Sequence, residues 1–216
     1  QRANKKLNFF SSITRHDILN HLTALKGNLE LSREYTSDKG ILTFIDKEMA
    51  AADAIQKQIL FTRDYQDIGI EPPEWQNVRQ AILSSCTAMK LGEVSITVLV
   101  SGVEIYADLL LGRVFHHIID NAITHGGRVT QIRFTCEESF EELVLACEDD
   151  GVGIPEDQKE KIFNRPRFMG LGLGMFISRE ILSITGIVIR ETGTPGKGAR
   201  FEIRVPKGVY RFVNGD

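Results

Sequence analysis

Covalent and metal staples are scarce in this sequence. Its 216 residues hold three cysteines, Cys86, Cys136 and Cys147, an odd number with no CxxC spacing. That excludes a disulfide framework and a zinc ribbon and leaves reduced cytosolic thiols as the expectation. Long apolar runs are missing too: nothing approaches the roughly 18 to 20 residues that cross a bilayer. The opening QRANKKLNFF also lacks the apolar centre of a signal peptide, so no membrane segment is expected. Nor is one sign of charge in excess. A net charge of -3 with scattered lysines and arginines leaves no footprint for nucleic acid.

What is present is apolar periodicity, in two regimes. From Leu7 the apolar positions fall at Leu7, Phe10, Ile13, Ile18, Leu22, Leu25 and Leu29. Steps mostly of three and four lay one apolar face along a helix of about residues 5–36, roughly 48 Å long. After the turn-like TSDKG a second stripe runs from Ile41 to about Tyr65. An antiparallel hairpin is predicted. Two helices cannot close a core alone, so self-pairing as a homodimer into a four-helix bundle is the expected solution. The stretch QDIGIEPPE, residues 66–74, then breaks the helical pattern with glycine and a proline pair. The domain boundary is placed there, giving 1–68 and 69–216. Beyond it the pattern predicts helices at 78–89, 109–125 and 173–185. Strands are predicted at 94–100, 131–136, 143–148, 187–191 and 200–205, a mixture that implies an α/β sandwich with its sheet covered on one face.

Three stretches of the second domain carry residue types that hold a phosphorylated ligand. DDGVGIP, 149–155, follows the apolar LVLACE, so Asp149 sits at a strand end while Gly151 and Gly153 let the backbone turn and approach a ligand. GLGLG, 170–174, precedes the helical MFISREIL, where free N–H groups and the helix dipole suit phosphate oxygens. HHIIDNAITHGG, 116–127, sets Asn121 and His125 one turn apart on a shared face. An asparagine carbonyl is a hard oxygen ligand suited to Mg²⁺ that also binds phosphates, and a histidine ring suits the phosphate itself. Singly, each stretch has a plainer explanation: DG is the commonest turn signal, and Asn121 alone is a helix-surface amide.

In order, HDILN, FHHIIDNAITH, DDGVG, GLGLG and GKGARFEIRVP resemble the H, N, G1 and G2 boxes and the closing strand of sensor histidine kinases. The resemblance covers nearly the whole chain. It implies a dimerisation and histidine-phosphotransfer hairpin followed by a catalytic ATP-binding domain of the Bergerat (GHKL) type. Mg²⁺ and ATP, autophosphorylation of a histidine and transfer to an aspartate of a response regulator receiver domain are implied with it. His16 matches the phospho-accepting histidine, Asp17 its acidic neighbour and Asn20 the polar residue one turn on. Asn121 matches the Mg²⁺-binding asparagine, His125 a phosphate-contacting ring, and Asp149 the carboxylate that accepts the adenine amino group. Gly151 and Gly153 shape the loop of Asp149. Gly170, Leu171, Gly172, Leu173 and Gly174 match the glycine-rich hinge and phosphate end of the ATP lid.

The H-box triplet then has a chemical reason. A neutral imidazole is nucleophilic only at the nitrogen without a proton, so a carboxylate holding the other N–H fixes the tautomer. Asp17 is the candidate for that role. Asn20, at i+4 from His16, shares its face, where an amide can orient water against a phospho-aspartate; phosphatase activity is therefore also expected.

The chain departs from the family pattern at four points. His117 stands where the family has another asparagine; an imidazole can donate to a phosphate or coordinate weakly but cannot replace both amide functions. Thr124 stands where a basic residue is usual. Only sixteen residues separate Gly153 from Gly170, a short lid that predicts modest nucleotide affinity and fast exchange. Within it KIFNR resembles the F box, with Ile162 and Phe163 expected to pack the lid, and Arg165 or Arg167 is a candidate replacement for the missing cation. Another GHKL-type ATPase would need a carboxylate base where His117 stands, which counts against hydrolysis. The remaining rival is a degenerate kinase acting as a nucleotide-binding dimeric scaffold. The chain begins without Met and directly in a helical pattern, so a sensory domain is expected upstream, through which a cytoplasmic core could be membrane-anchored.

Overall fold

A computed structural model describes residues 2–87, 89, 91–164 and 173–213. The chain divides into a helical unit ending at Gln66 and an α/β unit beginning at Asp67.

The helical unit is a hairpin of α1 (Arg2–Glu34) and α2 (Lys39–Asp67). Its second helix starts two residues before the predicted Ile41 because the Asp38 carboxylate accepts the N–H groups of Gly40 (2.7 Å) and Ile41 (3.2 Å), an N-cap. Antiparallel pairing shows in the cross-links: Arg33 with Asp46 (3.0 Å), Lys26 with Asp53 (2.7 Å), and Arg15 with Gln66. Leu22, Leu29, Ile45 and Ala52 are buried between the helices.

In the α/β unit the elements follow as β1 (Glu74–Asn77), α3 (Val78–Thr87), β2 (Ser95–Leu99), β3 (Val103–Ala107), α4 (Leu111–His125), β4 (Gln131–Glu138) and β5 (Glu142–Asp149). A 3-10 turn (Lys161–Phe163), α5 (Leu173–Ser183), β6 (Val188–Glu191), β7 (Arg200–Pro206) and β8 (Tyr210–Phe212) complete the unit. Five strands form one sheet in the order β2-β4-β5-β7-β6, with β2 and β4 parallel and the other pairs antiparallel. Along β7 the odd positions Phe201, Ile203 and Val205 are buried, and register places Phe201 opposite Cys147 and Ile203 opposite Leu145 on the same face. Against that face α4 packs Leu111, Val114, Phe115, Ile118, Ile119 and Ala122, and Phe115 meets Phe134 edge-on at 6.0 Å. The opposite face carries a ladder of charge in which Arg200 pairs with Glu148 and Glu202, and Arg204 with Glu142 and Glu202. Helix on one face and charge on the other is the sandwich that the patterning implies.

A second sheet, β1-β3-β8, was not expected. Val103, Ile105 and Ala107 of β3 are almost fully buried, an alternation legible in VEIYA but too short to separate from a loop. Its partner β1 follows Pro72 and Pro73, which read as linker. Burial also explains the cysteines: Cys147 lies wholly in the core, and that burial, with Asp149 and Glu148 nearby, pushes its thiol well above the ordinary value. An unionised thiol of this kind is inert.

Candidate functional site

The site is assembled by backbone contacts around the end of α4. Gly126 caps that helix with its N–H on the Ala122 carbonyl (2.9 Å), and its own carbonyl accepts the N–H of Val152 (3.0 Å), which docks the DDGVG loop on the helix end. The close approach is possible only without side chains: a Cβ on Gly151 would lie 2.5 Å from the Gly126 carbonyl oxygen. On the other side, the Asp149 N–H bonds the Ala199 carbonyl (3.0 Å), an extension of the β5–β7 ladder. Gly198, at φ 101, passes so near that a Cβ there would overlap the Asp149 carbonyl.

These contacts bring Asn121, His125, Asp149 and Gly153 onto the wall of one cavity of about 1220 Å³. Its polar wall is completed by Gln158, Lys161 and Asn164, and its apolar wall includes Ala122, Val152, Ile154, Pro155, Ile162 and Met175. Apolar walls with a few convergent polar groups are what a heterocyclic ligand needs. Asp149 supplies the directional group. Its Oδ1 accepts the N–H groups of Gly151 (2.9 Å) and Ala199 (3.1 Å), which fixes the carboxylate, while Oδ2 takes no hydrogen bond among the described residues. A rigid carboxylate with one open acceptor suits an exocyclic amino group. The adjacent Asp150 is spent structurally: the Thr130 hydroxyl and the N–H groups of Gln131 and Thr130 hold it, lowering its pKa to about 2. Of two neighbouring carboxylates, only the first faces the cavity.

His117 is placed elsewhere. Its Nδ1 lies 3.2 Å from Ser178 Oγ on α5, and its ring packs on Gly174, where a Cβ would come within 3.1 Å of the imidazole. Ser178 Oγ also lies 2.9 Å from the Gly174 carbonyl and donates to it, which ties the pair to the backbone of α5. His117 thus braces the start of α5, where Leu173 and Gly174 stand, instead of forming part of the cavity wall. Gly170, Leu171, Gly172, Arg165 and Arg167 lie outside the described residues. Ile162, expected to pack the lid, lines the cavity, whereas Phe163 is 1% exposed in the core, edge-on to Phe201 and under the Arg179 guanidinium.

The other candidate cluster, His16, Asp17 and Asn20, lies on α1. His16 and Asp17 are exposed, with side chains 75% and 62% accessible. His16 Nδ1 is 3.4 Å from Asp17 Oδ1 and 3.3 Å from Asn20 Nδ2. One nitrogen thus faces an acceptor and a donor. When Nδ1 carries hydrogen it donates to Asp17 and leaves Nε2 with a lone pair; when it does not, it accepts from Asn20 and Nε2 carries the hydrogen.

Residues 106–209 match the family described as histidine kinase-, DNA gyrase B-, and HSP90-like ATPases. The match lies within the α/β unit. Over 208 residues the chain is 28% identical to the signal transduction histidine-protein kinase AtoS of Escherichia coli, covering 88% of this chain and 33% of that protein. It is 32% identical over 103 residues to the alginate biosynthesis sensor protein KinB of Pseudomonas aeruginosa, covering 45% of this chain and 17% of that protein. The chain spans a third or less of the length of either relative. In fold it is similar to full-length ShkA, solved in complex with AMPPNP, with a TM-score of 0.64 at 18% identity over 91% of this chain and 45% of that one. The catalytic domain of histidine kinase ThkA is similar in fold as well, with a TM-score of 0.54 at 24% identity over 63% of this chain and 98% of that one. Among the described residues no helix is long and apolar enough to cross a membrane.

Proposed function

We propose that the chain is the core of a dimeric sensor histidine kinase: the cavity binds ATP, its γ-phosphoryl group passes to His16, and from there to an aspartate of a response regulator receiver domain. Residues 1–68 serve as the dimerisation and phosphotransfer hairpin and 69–216 as the catalytic domain, in a cytoplasmic core joined to an upstream sensory domain. The observation that carries this reading is the exposed His16–Asp17–Asn20 triplet in one chain with the half-engaged Asp149.

In the cavity the open Oδ2 of Asp149 accepts the adenine amino group, and Ile154, Ile162 and Met175 enclose the base. Asn121 offers an amide oxygen and His125 a ring donor to the phosphates. The donor set fits Mg²⁺, which would be held by Asn121 with phosphate oxygens and would neutralise charge on the transferred group. With Asp17 holding Nδ1–H, the Nε2 lone pair of His16 attacks the γ-phosphorus. The bond to the bridging oxygen breaks, ADP departs with its electron pair, and the imidazolium yields its Nδ1 proton toward Asp17. Protein work here is placement and charge neutralisation rather than covalent chemistry.

Incubation with Mg·ATP labelled at the γ-phosphate tests this. Acid-labile, alkali-stable label that disappears in His16→Gln is the expected result. Asn20 is assigned to water orientation: Asn20→Ala should abolish dephosphorylation of the receiver while sparing autophosphorylation, and equal loss of both would sink that role. A second reading, a nucleotide-binding dimeric scaffold, draws on His117 being engaged with α5 and on Thr124 in place of a cation. ATP binding without label on His16 would favour it.

A further inference from the structure

Asp108 is 2% exposed, and neither the nucleotide cavity nor the His16 triplet uses it. Its Oδ1 accepts the N–H of Leu110 (2.8 Å), an Asx-type turn just ahead of α4. Its Oδ2 accepts the N–H of Gly69 (2.9 Å), 39 residues earlier, in the segment that follows α2. That turn needs only one oxygen; the second reaches back along the chain. Gly69 stands at φ 71, a left-handed conformation that turns the backbone out of the helix and is natural to glycine. Gln76 secures the carboxylate's backbone from the other side, donating to the carbonyls of Ala107 (2.9 Å) and Asp108 (2.8 Å).

Building on the proposed phosphotransfer to His16, we infer that Asp108 is a positioning residue that shortens the tether between the two units. Between the end of α2 at Asp67 and the start of β1 at Glu74 lie residues 68–73. With Gly69 held, only Ile68 is left between α2 and the anchor. The effective concentration of two tethered partners falls roughly as the −3/2 power of tether length, so releasing all six residues lowers it about fifteenfold. The anchor therefore acts on the encounter of bound ATP with His16 and leaves nucleotide affinity alone.

The test is Asp108→Asn in the full chain. Asparagine keeps one acceptor for Leu110 and replaces the other with an amide that cannot accept from Gly69. Expected are faster amide exchange at Gly69, an ATP Kd within about twofold of wild type, and a fall of about fifteenfold in the rate of His16 phosphorylation at saturating Mg·ATP. An unchanged rate with Gly69 deprotected, or Gly69 still protected, overturns the inference. If this variant loses ATP binding through misfolding, two glycines inserted between Asp67 and Ile68 lengthen the tether without touching Asp108. That insertion should slow phosphorylation about fivefold, and no slowing overturns the inference. Absence of label on wild-type His16 is a separate failure, of the kinase reading itself, and removes the tether role with it.

Discussion

The hairpin and the α/β unit use apolar residues in different ways. Helix α4, 15 residues long, buries six apolar side chains within its own unit. Helices α1 and α2, 33 and 29 residues long, bury Leu22, Leu29, Ile45 and Ala52 against each other, while Leu25, Ile41, Phe44 and Ile55 remain 45 to 66% exposed. Both have stripes at helical spacing, so the stripe alone does not distinguish them. What differs is how fully the stripe is covered: α4 packs against α3, α5 and, through Phe115 and Phe134, the sheet, whereas the hairpin stripes stay half exposed among the described residues. A half-covered stripe leaves a core unfinished, and a second copy of the hairpin would finish it as a four-helix bundle. The α/β unit is complete in itself and spends its surface on a ligand cavity.

The sharpest separation of the two units comes from Asp149→Asn. The amide keeps an oxygen for Gly151 and Ala199, so the loop should stay folded, but the group left over donates where the carboxylate accepted. Loss of a charge-assisted hydrogen bond, about 1.5 to 3 kcal/mol, predicts a rise of about 100-fold in ATP Kd by calorimetry, with hairpin melting unchanged. A Kd near wild type would show that the open oxygen is not the adenine acceptor. The wild-type Kd bears on the lid as well: the short segment between Gly153 and Gly170 predicts a Kd well above the nanomolar range, that is, modest affinity.

Dilution should act on the other unit. If a second copy closes the hairpin, its stability depends on chain concentration, by about 1.4 kcal/mol per tenfold dilution, while the α/β unit is indifferent. Melting followed at α-helical and aromatic wavelengths over a hundredfold concentration range should show one transition moving and one fixed. Two fixed transitions would mean that the hairpin is stable without a partner.

How far the sequence carried these conclusions depended on whether a feature is local. The stripes of α1, α2 and α4 and the apolar strands β5 and β7 are short-range patterns; the resemblance in the order of the boxes singled out His16, Asn121, His125 and Asp149, and the last three line the cavity. Ala199 and Pro195 escaped notice because they reach the cavity through β5–β7 pairing, a contact fifty residues apart in the chain that no window reports. The orientation of His117 is decided by Ser178, 61 residues on, and the meaning of Asp108 by Gly69, 39 residues back. Ile162 takes its place on the cavity wall for a different reason. Next to Phe163 it reads as part of one apolar pair, yet in a 3-10 turn neighbouring side chains diverge, one to the core and one to the cavity.

The smallest expected effect, and a check on how self-contained the α/β unit is, concerns Asp150. Hydrogen bonds from the Thr130 hydroxyl and from the N–H groups of Gln131 and Thr130 lower its pKa from 3.8 to about 2. Unfolding frees the carboxyl to bind a proton more readily, so the stabilisation is fully present above about pH 4 and is lost as pH falls toward 2. Because the carboxylate is almost wholly exposed, solvent screening keeps the contribution below about 1 kcal/mol. Asp150→Asn should thus flatten the acid limb of the α/β transition and leave the hairpin transition where it was. An acid limb of undiminished slope would move the origin elsewhere. Glu202 is the next carboxylate to examine, since hydrogen bonds from Arg204 and Arg200 hold it below its ordinary value despite the opposing push of burial.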